Sequence, residues 1–429
     1  MTKGQRVVRR VALLGVASVI AALAGCSSLG YYWQGLTGQV QILHAARPVP
    51  EWLEQKNLAP ALRQRLESAQ AMREFASAEL GLPRNASYTR YANLERSHAV
   101  WNVVAAPPAS LQLHRWCFPI AGCVGYRGYF SRDAALAESE QLQQQGLEVN
   151  VYGVPAYSTL GYLNWLGGDP LLSTFIDWQE GDFAGLLFHE LAHQVVYLPG
   201  DTAFNESFAS SVEQLATPLW LQGHASAASQ SRWEKSQQRR QQWRSASAQT
   251  RQQLQQLYAS NNESKQPLEP MDQVQAAIKL DIFKRFHSSY AELRAQWLAQ
   301  DWPLLTTPEL QQKYLQRLAQ TDDWVAKANN ASFGALAAYD DWVPAFTTLW
   351  QQSQRAAAGG ATGEGSNGDV NGDTSGATST TARGSLQGWQ LFYEKVREWA
   401  QLPDAERLQT LCSHMPAKAP APAACLGKP

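Results

Sequence analysis

Charge is scarce in this sequence, and neither sign prevails. Acidic and basic residues make up 17% of the 429 positions and nearly cancel, leaving a formal charge of −1. Without a basic excess there is no electrostatic footprint for a nucleic-acid partner. Cysteine is also sparse, at five residues, and none is spaced as the tight pairs that zinc-binding cysteine clusters need. No internal repeat is present, which excludes solenoids and propellers. The one long apolar run, Val11 to Gly25, falls short of the roughly 20 residues that span a bilayer. What the chain does have is apolar material: 45% of its residues, with 16 tryptophans, enough for a substantial core in one or two domains.

Lys3, Arg6, Arg9 and Arg10 precede that apolar run, and Cys26 follows it, the layout of an export signal. The ending "LAGC", Leu23 to Cys26, resembles the lipobox of bacterial lipoproteins, in which the cysteine becomes the acylated first residue. The resemblance implies a signal peptide over 1–25, a mature domain over 26–429 and lipidation at Cys26; an ordinary transmembrane anchor is the alternative. Ser27, where an aspartate would suggest retention at the inner membrane, implies the outer membrane, facing the periplasm. Loss of the leader with its four basic residues takes the net charge to −5, so acyl chains rather than a basic patch supply the anchor. The other cysteines, Cys117, Cys123, Cys412 and Cys425, read as disulfides in an exported chain. Of the three possible pairings, Cys117–Cys123 and Cys412–Cys425 are expected, because each closes a short loop rich in Pro or Gly.

Periodicity predicts helices over residues 30–95, stopped by Gly81 and Pro83, then strands over Ala99–Ala106, Val124–Phe130 and Leu147–Val154. A helix from Ser131 as N-cap to Gly146 joins the last two strands, which predicts a strand–helix–strand unit with parallel strands. Beyond residue 220 the pattern is helical and polar. The Arg- and Gln-rich stretch near residues 230–259 reads as a solvated helix face, since no aromatic platform interleaves its basic residues. Residues 355–386 are low in complexity and read as a mobile loop. The fold class expected is α+β, mostly helical, with a small sheet.

The chemistry concentrates in "FAGLLFHELAHQVVYLPGDTAFNESFA", Phe183 to Ala209. Four-residue spacing puts His189 and His193 on one face of an otherwise apolar helix, with Glu190 beside them. Buried polar groups need partners, and one divalent cation would satisfy all three. Pro199 and Gly200 are expected to end this helix, and a new one starts near Thr202. Glu206, in its first turns, can reach back as the third protein ligand that a catalytic zinc requires. Its "NESFA" setting resembles the segment that supplies the third ligand in gluzincin metallopeptidases, where the gap from the second histidine is usually longer. Glu213, on the same face, is the alternative ligand or, with Asn205, a support for the ligands. With Zn2+ in place, Glu190 is the general base. Tyr339 is a candidate oxyanion donor, or else a core aromatic.

The segments "CFPIAGCVGYRGYF", "YGVPAYSTLG", "DPLLSTF", "LLFHELAHQVVY", "GDTAFNESFA" and "NNASFGALAAY", in this order, resemble the bacterial predicted aminopeptidase family of zinc-dependent lipoprotein metallopeptidases. The likeness runs over nearly the whole mature chain, with 355–386 as an insertion, and implies a zincin-like fold, with the small sheet beside the metal-binding helix, and hydrolysis of peptide substrates at their N-termini. In metallopeptidases of this architecture an edge strand before the metal helix binds substrate backbone. Residues 151–161 are the candidate here, with Tyr157 and Ser158 near the cleft and Pro155 marking an edge. Arg127 could grip a substrate carboxylate or serve an internal ion pair. Two other functions remain open at this point: an amidase acting on cell-wall peptides, and a scaffold lipoprotein with an inert metal site.

Overall fold

The computed structural model describes residues 30–118, 122–159, 166–259, 271–360, 385–417 and 422–425. Cys26 and the signal peptide lie outside these residues. The order begins with α1 (residues 30–45), β1 (Arg47–Pro48), α2 (Val49–Leu53), α3 (Pro60–Ala78) and β2 (Arg90–Ala92). The helical expectation for 30–95 thus fails at 90–92, which form a strand between β1 and β8 (Leu171–Leu172).

A second sheet is built from β3 (Val100–Ala106), β6 (Arg127–Tyr129) and β7 (Glu148–Val154), with β3 in the middle. Between β3 and β6 lies a hairpin of β4 (Trp116–Phe118) and β5 (Gly122–Val124), so the single strand expected over 124–130 is two short ones. Helix α4 (Arg132–Gln144) joins β6 to β7; the Ser131 hydroxyl accepts from Ala134 N, and Gly146 turns the chain out with φ 84°. β6 and β7 are parallel to each other, but β3 is inserted between them and antiparallel to both. Period-two alternation gives the sheet two apolar faces. Val103, Ala105 and Val149 pack under α4, while Val104, Ala106 and Tyr152 pack with Ala331 of α10 (Asn330–Asp340).

The main core is helical. α5 (Glu180–Ala192) and α6 (Thr202–His224) lie against α11 (Val343–Gly360) and α12 (Leu386–Gln401), with α13 (Asp404–Ser413) closing the end. Phe204 and Phe208 of α6 meet Phe346 with ring centroids at 5.2 and 5.7 Å. A second core joins α7 (Ala227–Ala259), α8 (Gln273–Asp301) and α9 (Pro308–Lys327) through Trp243, Phe286 and Trp324. α7 departs from a simple solvated face: Arg240, Arg244 and Arg251 pair with Asp182, Asp340 and Asp341 on the neighbouring helices. The stretch expected as a loop over 355–386 begins inside α11, which runs on to Gly360, and ends inside α12; residues 361–384 lie outside the described residues. Both local disulfides, Cys117–Cys123 and Cys412–Cys425, are formed. No helix of the described residues is long and apolar enough to cross a membrane.

Candidate metal centre

α5 opens with Glu180 and Asp182 in its first turn, where the helix dipole favours acids, and continues with buried Phe183, Leu187, Phe188 and Leu191. It stops earlier than Pro199–Gly200: Ala192 is its last residue and His193 the C-cap. The reason lies in the bonds beyond. Gln194 N and Val195 N bond three residues back, to Leu191 O and Ala192 O, tightening the turn. Leu198 is then held from both sides, its N–H donating to Asn205 Oδ1 and its carbonyl accepting from Asn205 Nδ2, each at 2.8 Å. Asn205 is therefore the clasp of the loop between the histidines and Glu206. Asp201 caps α6 by accepting from Phe204 N. His193 keeps helical backbone angles, so its ring stays over that of His189, with centroids 4.9 Å apart. The remaining polar residue of the patch, Gln194, bonds Asn85 and Ser87 in the loop after α3.

All three candidate ligands converge. Nε2 of His189 and Nε2 of His193 lie 3.4 and 3.5 Å from Oε2 of Glu206, and the three donor atoms lie within 4.8 Å of one another. A charge-assisted hydrogen bond would be shorter, about 2.7–2.9 Å. Ligands of a tetrahedral zinc, each about 2.0–2.1 Å from the ion, stand about 3.4 Å from each other. Two of the three separations thus match the ligand spacing of a tetrahedral zinc, and the third is no more than 4.8 Å. Nδ1 of His193 is buried and without a hydrogen-bond partner.

Glu213 approaches His189 from behind, with Oε2 3.3 Å from Nδ1. The approach is an ion-pair contact rather than an aligned hydrogen bond, since Nδ1 has no hydrogen-bond partner by geometry. Gly185, one turn before His189, makes it possible: a Cβ there would stand 3.1 Å from Glu213 Cγ. Arg240 Nη1 lies 3.8 Å from Glu213 Oε1, and the Glu213 carboxyl is held below its ordinary range, the His189 and Arg240 charges outweighing burial.

Glu190 is half-buried next to this trio. Around it and Glu206 stand four tyrosines, from α10, β7 and two connecting turns. Tyr339 of α10 faces the His189 ring at 6.4 Å, nearly parallel, and is 36% exposed. Its phenol is pushed far up, first by the Glu206 carboxylate and then by burial. Tyr126 is raised by burial, then by Glu206 and Glu190; Tyr152 is pushed up to about 12 by burial, with Glu206 contributing. Tyr88 is raised by burial, then by Glu190 and Asp169. All four remain protonated donors at neutral pH. Ser207, buried beside Glu206, donates to Ala338 O and accepts from Trp342 N, which fixes Tyr339 relative to α6.

The other candidates sit elsewhere. Tyr157 packs on Phe130, with centroids 5.2 Å apart. Ser158 and Thr159 donate to the Asp169 carboxylate, whose ionisation burial pushes up to about 6. β7 is an edge strand and ends at Val154, just before Pro155; residues 160 and 161 lie outside the described residues. Arg127 forms an internal ion pair with Glu138 at 3.1 Å and lies 4.0 Å over the Tyr31 ring. Tyr126, the immediate neighbour of Arg127, and Tyr152 join the expected site residues, and the alternation of Tyr152 with Val149 and Val151 is the one local signal of its place.

The hairpin of β4 and β5 braces the loop from outside. Arg115 Nη2 donates to both Cys123 O and Gly200 O, at 2.7 and 2.6 Å. Gly122, with φ 72°, passes so close that a Cβ would stand 2.5 Å from Gly200 N.

The two histidines and Glu206 thus form a donor set that could hold a metal ion, with the half-buried Glu190 carboxylate beside it. Residues 30–411 match the protein family described as "Putative aminopeptidase", and the chain belongs to that family. No curated protein and no solved structure matches the chain.

Proposed function

We propose that this chain is a zinc-dependent aminopeptidase of the bacterial cell envelope, anchored by acyl chains on Cys26 and facing the periplasm from the outer membrane. The observation that carries the reading is the convergence of two imidazole nitrogens on one Glu206 oxygen at metal-ligand spacing. His189, His193 and Glu206 would hold the ion, and a cation there supplies Lewis acidity toward water and a substrate carbonyl. Glu190 takes a proton from the attacking water at its carboxylate and returns it to the leaving amine. Tyr339 and Tyr126, kept protonated beside the two glutamates, offer O–H donors to the oxyanion. Glu213 holds the His189 ring in place. The family description favours the exopeptidase over an amidase or a scaffold.

The test is Glu190→Gln in the full chain. The variant is expected to keep about one zinc per chain while kcat on aminoacyl reporters falls about 10²–10⁴-fold. A variant that cleaves as fast as the parent removes Glu190 from the mechanism. A zinc-loaded parent that cleaves no peptide favours the scaffold, and one that cuts only muropeptides favours the amidase.

A further inference from the structure

The first helix carries a feature that the catalytic reading does not use. Trp33, Leu36 and Val40 of α1 are 67%, 58% and 54% exposed, and Tyr32 beside them is 49% exposed. The spacing of three and four residues puts Trp33, Leu36 and Val40 in one stripe. No Asp, Glu, Lys or Arg occurs from Ser27 to Ala46, so this outward face lacks the charges that normally solvate a surface helix.

The opposite face is firmly docked. Tyr31 meets Phe118 and Tyr129 at 5.7 and 5.4 Å, Gln34 Oε1 accepts from Phe130 N at 3.0 Å, and Ile42 is buried in the main core. The stripe therefore belongs to the rigid body. Gly30 follows Cys26 by only four residues, so the start of α1 stays within about 14 Å of that cysteine even on a fully extended chain.

We propose that Tyr32, Trp33, Leu36 and Val40 rest in the headgroup layer of the membrane that holds Cys26, fixing how the enzyme stands on the bilayer. The inference rests on the lipid-anchor reading above. Acyl chains that close to an uncharged helix face bring a lipid surface within its reach, and Trp and Tyr are the side chains that settle at headgroup level. A short acyl tether alone would leave the body free to rotate; four apolar side chains immersed beside it would not. Because the stripe has no cations, the contact is apolar, and it requires neither anionic lipid nor low salt.

The experiment uses the full chain, processed in a Gram-negative host and reconstituted in phosphatidylcholine vesicles with and without phosphatidylglycerol. A nitroxide is placed at Leu36→Cys, at Val40→Cys in a second variant, and at Lys284→Cys on α8 as the exposed control. Both stripe positions are expected to show a several-fold higher ratio of oxygen to nickel-chelate accessibility than position 284, in both vesicle types and at high salt. An acylated protein whose stripe labels meet the nickel chelate as freely as position 284 overturns this inference and leaves the anchor intact. Labels shielded from both reagents and broadened by dipolar coupling would assign the stripe to a second copy instead. Absence of acyl mass on Cys26 in the same preparation would end both the anchor reading and this one.

Discussion

Nδ1 of His189 stands 3.3 Å from Oε2 of Glu213, on the side of the ring opposite the nitrogen that faces Glu206. One imidazole is thus gripped between two carboxylates of α6, the contact behind it aiming the nitrogen that faces Glu206. Removing the rear charge should loosen the grip on the ion. Glu213→Gln is expected to weaken zinc binding about 10–100-fold, read by competition with a chromophoric chelator. Unchanged affinity would make Glu213 a packing residue alone.

Metal binding should also be coupled to protons. In the metal-free protein burial works against the His189 charge, but Glu206 and Glu213 overcome it and push the imidazole up to about 10. Below that value the ring carries a proton that the cation must displace. The sign follows directly: affinity rises with pH, by about tenfold per unit between about pH 6 and 9 if one proton is released. Calorimetry in buffers of differing protonation enthalpy measures that release, and a flat affinity profile would contradict it.

The clasp made by Asn205 can be opened without touching a ligand. Asn205→Ala removes both bonds to Leu198 and leaves two backbone groups unpaired. A loss of about 2–3 kcal/mol in stability is expected, seen as a lowered melting temperature together with weaker zinc binding. Asn205→Asp keeps an acceptor for Leu198 N but sets a buried carboxylate oxygen against the Leu198 carbonyl, and should also lose stability. Equal melting of all three proteins would show that the loop holds itself.

How far the sequence revealed this site depends on the kind of contact involved. The histidine pair and Glu206 were legible because four-residue spacing and a capped helix start are local matters. The early end of α5 was not, because it is set by a side chain that returns from α6, and no local pattern announces such a bond. Ser131 and Gly146 marked the ends of α4 accurately, whereas the strand over 124–130 divided at a turn between two sheets. Arg240, Arg244 and Arg251 looked solvated by composition, and only the packing of α7 revealed their acidic partners. Tyr126, Tyr152 and Tyr339 come together from a turn, a strand and a helix, which period and propensity cannot bring into one place.

Those tyrosines should differ in their effects. Tyr339 faces His189 and is governed by Glu206 more than by burial. Tyr339→Phe is expected to lower kcat about 10²-fold with little change in KM, as loss of an oxyanion donor does. Tyr152 is governed by burial first and lies opposite Asn102 in the sheet register, so Tyr152→Phe should leave kcat nearly unchanged. Steady-state kinetics on one aminoacyl reporter compares the two. Equal losses would mean that neither hydroxyl is singled out by the transition state.

The hairpin joined by Cys117 and Cys123 leans on Gly200, in the turn between His193 and Glu206. Such a bond persists only in oxidising surroundings. Reduction of that pair would therefore leave the loop between His193 and Glu206 without its closed brace, so the firmness of the loop should follow the redox state of its surroundings.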